Sequence, residues 1–210
     1  MDNNDSVLNM RYHSDEIITD ILKKSCECNK KINKEILKNI IILAIEISRE
    51  GREGRKIGTL FIVGDEDEVL KRSQTLILDP LKGHSAAKKM IDNRNFRETV
   101  KELAQLDGAF IVSNEGVFIS ATRYISTDFR NIKVPLGLGS RHIAAASITK
   151  AAASVAIVVS ESSVVRIFIQ GKLFTEIIPE LWLIQKAGKI RKEQKIKKEI
   201  KTNLTEAINQ

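Results

Sequence analysis

Short apolar runs alternate with helical periodicity along this chain of 210 residues, and this alternation constrains the fold more than any other feature. Runs with the length and composition of buried strands occur at residues 57–63, 74–80, 109–113, 116–124, 155–160, 164–169 and 173–177. Helix-like segments separate several of them, including an acidic one at 65–72 and another at 95–105. The pattern predicts an α/β domain, a mixed central β-sheet flanked by helices.

Two amphipathic helices are predicted before this domain. Their apolar faces consist of Ile17, Ile18, Ile21 and Leu22 in the first helix and of Ile32, Ile36, Ile40, Leu43 and Ile47 in the second. The segment 48–56 carries two glycines and alternating charges, as a connection would. We therefore expect an N-terminal helical extension and linker at 1–54, the α/β domain at 55–178 and a basic C-terminal helix or tail at 179–210. The extension either assembles or restrains an oligomer, or it packs against its own domain.

The charge balance favours an anionic ligand. The formal net charge is +7 and the isoelectric point is about 9.4, which suits a nucleotide, a nucleic acid or a membrane surface without choosing among them. The run at 186–201 holds eight Lys or Arg against two Glu. Aromatic residues make up 5% of the chain and none follows Trp182, so base stacking has no support there and no nucleic-acid partner is expected.

The sequence predicts no membrane span. The richest apolar run, residues 40–45, is closed by charged residues on both sides and is far shorter than a spanning helix. The acidic, polar start does not resemble a signal peptide. We expect a cytoplasmic protein, in which Cys26 and Cys28 are reduced thiols.

Residues 137–149 have the outline of a phosphate site. Two glycines, Ser140, Arg141 and His142 lead into an alanine-rich helix. Ser140 is a good candidate N-cap, and the first amides of a helix attract anions. The Arg141 guanidinium suits a phosphate, and His142 can donate to phosphate oxygens or bind a metal. Ordinary helix capping explains such a segment equally well when it stands alone.

Two further polar elements interrupt apolar runs. Asp107-Gly108 precedes a predicted strand, where Asp107 is a candidate metal ligand or base and where a simple turn is the alternative. Ser160-Glu161-Ser162 follows another strand and, taken singly, reads as a loop.

In this order the three elements resemble the diadenylate cyclase domain, the catalytic module of DisA-type proteins. The resemblance covers roughly residues 55–178 and includes the intact Asp-Gly-Ala signature at 107–109. The second signature, usually Gly-Thr-Arg-His-Arg, reads Gly-Ser-Arg-His-Ile at 139–143. Ser140 keeps the hydroxyl, whereas Ile143 removes a cation. Ser160-Glu161 matches a Ser-Glu pair of the family.

The resemblance implies condensation of two ATP into cyclic di-AMP and two pyrophosphates, with Mn²⁺ or Mg²⁺ as cofactor. It implies catalytic roles for Asp107, Arg141 and His142, and metal ligation by Asp107, His142 and Glu161. The implied ATP-binding residues are Gly108, Ala109, Leu138, Gly139, Ser140, Arg141, His142 and Ser160. Since one domain holds one ATP, it also implies a homo-oligomer whose active sites face each other.

The Ile143 departure keeps a second function open, a non-catalytic module that senses ATP or a cyclic dinucleotide. Retention of Asp107, His142 and Glu161 favours catalysis, because a pure binding module has little need of all three.

Overall fold

A computed structural model describes residues 14–184 except 29, 31, 127–131 and 133. Its helices are α1 (Ser14–Cys28), α2 (Lys34–Glu50), α3 (Glu66–Lys71), α4 (Arg94–Leu103) and α5 (Ser140–Ala151), with a 3-10 helix at Ala86–Lys89. Its strands are β1 (Thr59–Val63), β2 (Ser73–Thr75), β3 (Ala109–Val112), β4 (Phe118–Ile125), β5 (Val155–Val159), β6 (Val165–Ile169) and β7 (Lys172–Ile177).

The chain divides into two compact units. Residues 20–179 form the larger one, which contains the whole sheet. The other includes the described residues 14–19 and 180–184, which are helical. The predicted basic run at 186–201 lies outside the described residues. The boundaries expected at residues 54 and 178 stay predictions.

The seven strands form one sheet in the order β2-β4-β3-β1-β5-β6-β7. The pair β1 and β3 is parallel, and every other neighbouring pair is antiparallel. The predicted mixed α/β sheet is thus confirmed. The central strands β1, β3 and β5 are buried along their whole length, which explains why they read as continuous apolar runs without alternation.

Both faces of the sheet are covered. Leu60 and Ile62 of β1 share one buried cluster with Ala145, Ala146 and Ile148 of α5. The intervening residue Phe61 points to the opposite face, because side chains alternate along a strand. There Phe61 stacks on Phe110 with ring centroids 5.1 Å apart, beside Phe118 and Phe96. Small alanines on α5 let that helix lie close to the sheet.

Helix α2 belongs to this core. Nine of its residues are buried, and it packs against β5 and β6. Its apolar face is therefore used by its own sheet, which is the alternative that the sequence left open for the N-terminal helices. Among the described residues, no helix has the length and apolar character needed to span a membrane.

Charged side chains join α2 to α4 in what we call the Lys101 cluster, consisting of Lys101, Glu46, Glu50 and Glu98. The Lys101 Nζ atom lies 3.1 Å from Glu46 Oε2, 3.2 Å from Glu50 Oε2 and 3.1 Å from Glu98 Oε1, and its side chain is only 8% exposed. Burial alone would lower the pKa of Lys101, but its hydrogen bonds to the glutamates outweigh that effect and raise the pKa.

One predicted strand is much shorter than expected. The run 74–80 contributes only its first two residues to β2, and Leu76, Ile77 and Leu78 are exposed beyond it. The reason is the side chain of Asp79, which accepts hydrogen bonds from the Ser120 hydroxyl at 2.6 Å and from the Ala121 amide at 3.2 Å. Besides this carboxylate, the Leu76 amide donates to the Thr122 carbonyl at 3.1 Å and the Thr122 hydroxyl donates to the Leu78 carbonyl. Separate contacts with β4 thus replace a continuous backbone ladder.

Candidate functional site

Strand register brings three distant segments to one edge of the sheet. Leu60 pairs with Ala109, so the start of β1 lies beside the start of β3, where Asp107 and Gly108 precede the strand. Thr59 pairs with Val159 of the antiparallel β5, so the residues that follow β5 reach the same edge. Asp107, Gly58 and Glu161 therefore meet, although about fifty residues separate each from the next along the chain.

Gly108 is needed for its backbone conformation. Its φ is +107°, and an added Cβ would lie 2.5 Å from the carbonyl carbon of Thr122. Thr122 itself has a φ of +52°, and the register between β3 and β4 shifts nearby. Such irregularities re-aim side chains next to a site. Here they lie next to Tyr124, whose half-exposed ring lines a pocket at this edge.

The N-cap of helix α5 lies one residue earlier than predicted. Gly139 is the N-cap, with an extended backbone, and Ser140 is the first helical residue. The prediction of Ser140 as N-cap is wrong, because the Gly139 carbonyl already accepts the first helical bond, from the His142 amide at 3.0 Å. Among the described residues, no side chain caps this helix. Its first amides are thus available to an anion.

Arg141 joins the two acidic side chains of the edge. Its Nη2 atom lies 2.9 Å from Asp107 Oδ1, and its Nη1 atom lies 3.5 Å from Glu161 Oε1. The side chain of Arg141 is 33% exposed, and those of Asp107 and Glu161 are 84% and 70% exposed. We call these three residues the Arg141 cluster.

A pocket of about 470 Å³ opens beside this cluster. It is lined by residues 107–109, by residues 123–125 of β4, and by Ser140, Arg141 and Ile143 of α5, among others. Leu76 and Tyr124 give one part of it an apolar surface, whereas Asp107 and Arg141 give the other part charge. This volume and this mixture suit a ligand with a flat apolar part and an anionic part.

His142 has different neighbours. It is buried, and its Nε2 atom lies 3.3 Å from Arg166 Nη1, while the Arg166 Nε atom lies 2.6 Å from Glu176 Oε1. Burial, and then the Arg166 charge, lower the pKa of His142 below its ordinary value of 6.5. The Gly139 carbonyl opposes this shift, although no well-aligned hydrogen bond from the described residues reaches the buried Nδ1 atom.

The remaining predicted residues fall into two groups. Gly108, Ala109 and Ser140 line the pocket. Leu138 packs against the core cluster, and the Ser160 hydroxyl lies 2.9 Å from that of Ser162 and accepts from the Ser162 amide at 3.3 Å. Ser160 thus shapes the turn that presents Glu161.

Sequence reasoning missed two residues of this edge. A Cβ at Gly58 would lie 2.8 Å from Arg141 Nη1 and 3.2 Å from Glu161 Oε1, so only a glycine leaves both groups undisturbed. Nothing in the sequence singles out Gly58, because its neighbours are distant along the chain. Tyr124 gave a weak signal, as an aromatic residue at the last position of the predicted strand 116–124.

The acidic pair fits a divalent cation. Its carboxylate oxygens converge on one guanidinium, and hard oxygen ligands are those that Mg²⁺ and Mn²⁺ prefer. In the described part of the chain, no three His, Cys, Asp or Glu side chains are close enough together to hold a metal ion. Two carboxylates completed by substrate phosphates are a common arrangement for Mg²⁺.

The fold and the edge together define an α/β domain with a charged pocket at the ends of its central strands. A family model described as "DisA bacterial checkpoint controller nucleotide-binding", abbreviated DAC, matches residues 46–173. The chain belongs to this family.

Two curated relatives agree. A protein of Methanocaldococcus jannaschii named "Diadenylate cyclase" is 42% identical over 174 residues, 82% of this chain and 54% of that protein. One of the same name from Haloferax volcanii is 37% identical over 156 residues, 73% of this chain and 56% of that protein. The chain spans about half the length of these relatives. The crystal structure of a double mutant of DacA from Staphylococcus aureus is similar at a TM-score of 0.47 and 18% identity, covering 71% of this chain and 91% of that one.

Proposed function

We propose that this protein is a diadenylate cyclase, which condenses two ATP into cyclic di-AMP and two pyrophosphates. The observation that carries the proposal is the Arg141 cluster, in which a guanidinium lies between two carboxylates at the edge of the pocket. The similarity to two curated relatives named diadenylate cyclase supports it.

In the reaction, the 3′-oxygen of each ATP forms a bond to the α-phosphorus of the other. The bond from that phosphorus to pyrophosphate breaks, and the attacking hydroxyl loses its proton. Arg141 and the first amides of α5 hold phosphate oxygens and offset the negative charge that grows on them. Tyr124 and Leu76 give the adenine an apolar wall, and Gly108 lets the backbone approach the nucleotide.

Asp107 and Glu161 are the residues that would hold a divalent cation, and the cation would supply Lewis-acid stabilisation of phosphate charge. Asp107 either serves as such a ligand or accepts the proton of the attacking hydroxyl. The ligand role predicted for His142 stays a prediction, and it requires the ring to leave Arg166.

The site functions between two facing subunits in this proposal. Exposed apolar side chains continue from the rim of the pocket, namely Leu76, Ile77, Leu78 and, next to Asp107, Leu106. Exposed apolar surface beside a polar pocket is typical of an interface. A second copy of the chain that covers this rim would bring the second nucleotide opposite the first.

The rim can be tested apart from the chemistry. Ile77 is 94% exposed, so Ile77→Asp should leave folding intact and lower both the dimer fraction in sedimentation and the specific activity. Ile178→Asp, at an exposed apolar position after β7, is the matched control. Equal behaviour of the two variants would exclude the rim as the interface.

The direct test of the activity is incubation with ATP and Mn²⁺ or Mg²⁺, followed by chromatography. The expected products are cyclic di-AMP and pyrophosphate in a ratio of one to two, by the stoichiometry above. ATP binding without product in either metal would exclude the enzyme.

One observation favours the alternative, a module that binds a nucleotide without catalysis. Ile143 lines the pocket at a position where the family pattern has an arginine. If the alternative holds, calorimetry will show ATP or cyclic di-AMP binding, and Ile143→Arg is the variant in which turnover should then appear.

A further inference from the structure

We infer that Arg141 competes with the divalent cation for the same two carboxylates, so that the cation binds well only together with the nucleotide. The inference rests on the proposed function, because it takes a metal–ATP complex as the ligand. It concerns the order in which this site fills, which the fold alone does not determine.

The contacts of Arg141 carry the first step. Asp107 precedes β3 and Glu161 follows β5, and β1 lies between these two strands. The Arg141 guanidinium bonds to both carboxylates, at 2.9 and 3.5 Å, and neutralises one of their two charges. A cation that uses both carboxylates must displace the guanidinium or remain beside it, and two like charges at such distances repel.

The second arginine that lines the pocket does not alter this competition between Arg141 and the divalent cation. Arg123 is turned toward β2, where it donates to the Ser73 carbonyl at 2.7 Å and to the Thr75 hydroxyl at 2.8 Å. Among the described residues that line the pocket, Arg141 is therefore the cation that contacts Asp107 and Glu161.

A nucleotide offers Arg141 another partner. Arg141 is the second residue of α5, beside the amides that would receive a phosphate. A triphosphate is a stronger partner for a guanidinium than an exposed carboxylate, because it carries more negative charge and can accept the same two parallel hydrogen bonds. Once Arg141 has turned to the phosphates, both carboxylates are free for the cation. Nucleotide and cation thus strengthen each other's binding.

Gly58 supplies independent support that this arrangement is built into the fold. Its missing side chain leaves the space in which Arg141 Nη1 and Glu161 Oε1 meet, since a Cβ there would be 2.8 and 3.2 Å from these atoms. The backbone of β1 therefore accommodates the guanidinium next to the carboxylate.

The test measures Mn²⁺ binding to the full chain without nucleotide, by the loss of the free-ion signal in electron paramagnetic resonance. Arg141→Gln should bind Mn²⁺ roughly tenfold more tightly than the wild type, because it removes the competing charge. Arg141→Lys, which keeps the charge, should remain near the wild type. Lys172→Gln, an exposed lysine of β7, controls for the change in net charge.

Unchanged or weaker Mn²⁺ binding in Arg141→Gln would overturn the inference, as would an equal gain in Lys172→Gln. A loss of binding in Asp107→Asn and Glu161→Gln is expected if these carboxylates hold the ion. The proposed function has its own readout, because cyclic di-AMP formation by the wild type is scored separately. Unchanged Mn²⁺ binding by Arg141→Gln would therefore exclude the competition without excluding the cyclase activity. Absence of cyclic di-AMP would exclude the cyclase activity whatever the result of the Mn²⁺ measurement.

Discussion

The Arg141 cluster and the Lys101 cluster contain the same chemistry in different surroundings. Each has a cation shared by several carboxylates, and each joins segments far apart in the chain. The Lys101 side chain is 8% exposed between α2 and α4, whereas the Arg141 side chain is 33% exposed beside a pocket. A buried cation holds elements in place, while an exposed one can exchange its partners for a ligand. Burial and the adjoining cavity therefore distinguish the two roles, and the residue types do not.

The largest expected effect is a loss of activity on substitution of a residue in the Arg141 cluster. Asp107→Asn keeps the size of the side chain but removes its charge, so we expect cyclic di-AMP formation to fall by roughly 10²- to 10³-fold, as on loss of a transition-state stabiliser. The thermal midpoint should hardly change, because the carboxylate is exposed. Product chromatography and a melting curve of the same sample check both statements, and near-normal turnover would remove Asp107 from the mechanism.

Lys101→Met should give the opposite result. The substitution fills similar space but leaves three glutamates without their common cation, so we expect a loss of about 2 kcal/mol in the free energy of unfolding. This is below the cost for a fully buried pair, since the glutamates retain access to water. Urea denaturation measures the loss, and activity per folded molecule should match the wild type. A Lys101→Met protein that is as stable as the wild type but inactive would contradict the structural role of the Lys101 cluster.

Gly58→Ala should affect activity moderately, by roughly tenfold, because flexible side chains can yield to the added methyl at the cost of their alignment. The effect should shrink in a Glu161→Gln background if Gly58 works through that carboxylate, since residues in contact are not additive. Equal effects in both backgrounds would show that Gly58 acts elsewhere.

The smallest effect concerns pH. The pKa of His142 is lowered in the folded protein, so the unfolded chain takes up a proton first as the pH falls. The contribution of His142 to stability is complete above about 6.5, the ordinary value, and is lost below it. In buffer with a chelator, His142→Gln should melt with less dependence on pH between 7.5 and 5.5 than the wild type, within the range where histidine titrates. Parallel profiles would contradict the assignment.

Local sequence patterns predicted the helices and strands of the fold. Where the structure departs from that prediction, the cause is a contact between residues far apart in the chain. The continuous apolar runs of β1, β3 and β5 predicted buried strands correctly, because a strand that is buried on both faces is apolar at successive positions. The run at 74–80 misled, since the Asp79 contacts that hold it outside the sheet involve β4.

The functional site likewise combines residues that the sequence indicated with residues that only the three-dimensional contacts identify. Asp107 and Arg141 were singled out beside or at the start of a predicted element, and Glu161 through the family resemblance, and the structure brings the three together. Gly58 escaped, because its role depends on side chains that are 83 and 103 positions away along the chain (141 − 58 and 161 − 58). His142 was expected beside the metal, whereas its observed partner is Arg166, a contact that no spacing in the sequence reveals.

The most direct test of the account compares cyclic di-AMP formation by the wild type, Asp107→Asn and Lys101→Met in one assay with ATP and Mn²⁺, normalised to folded protein. Product is expected from the wild type and from Lys101→Met at similar rates, with almost none from Asp107→Asn. Equal product from the wild type and Asp107→Asn, or none from the wild type, would contradict it.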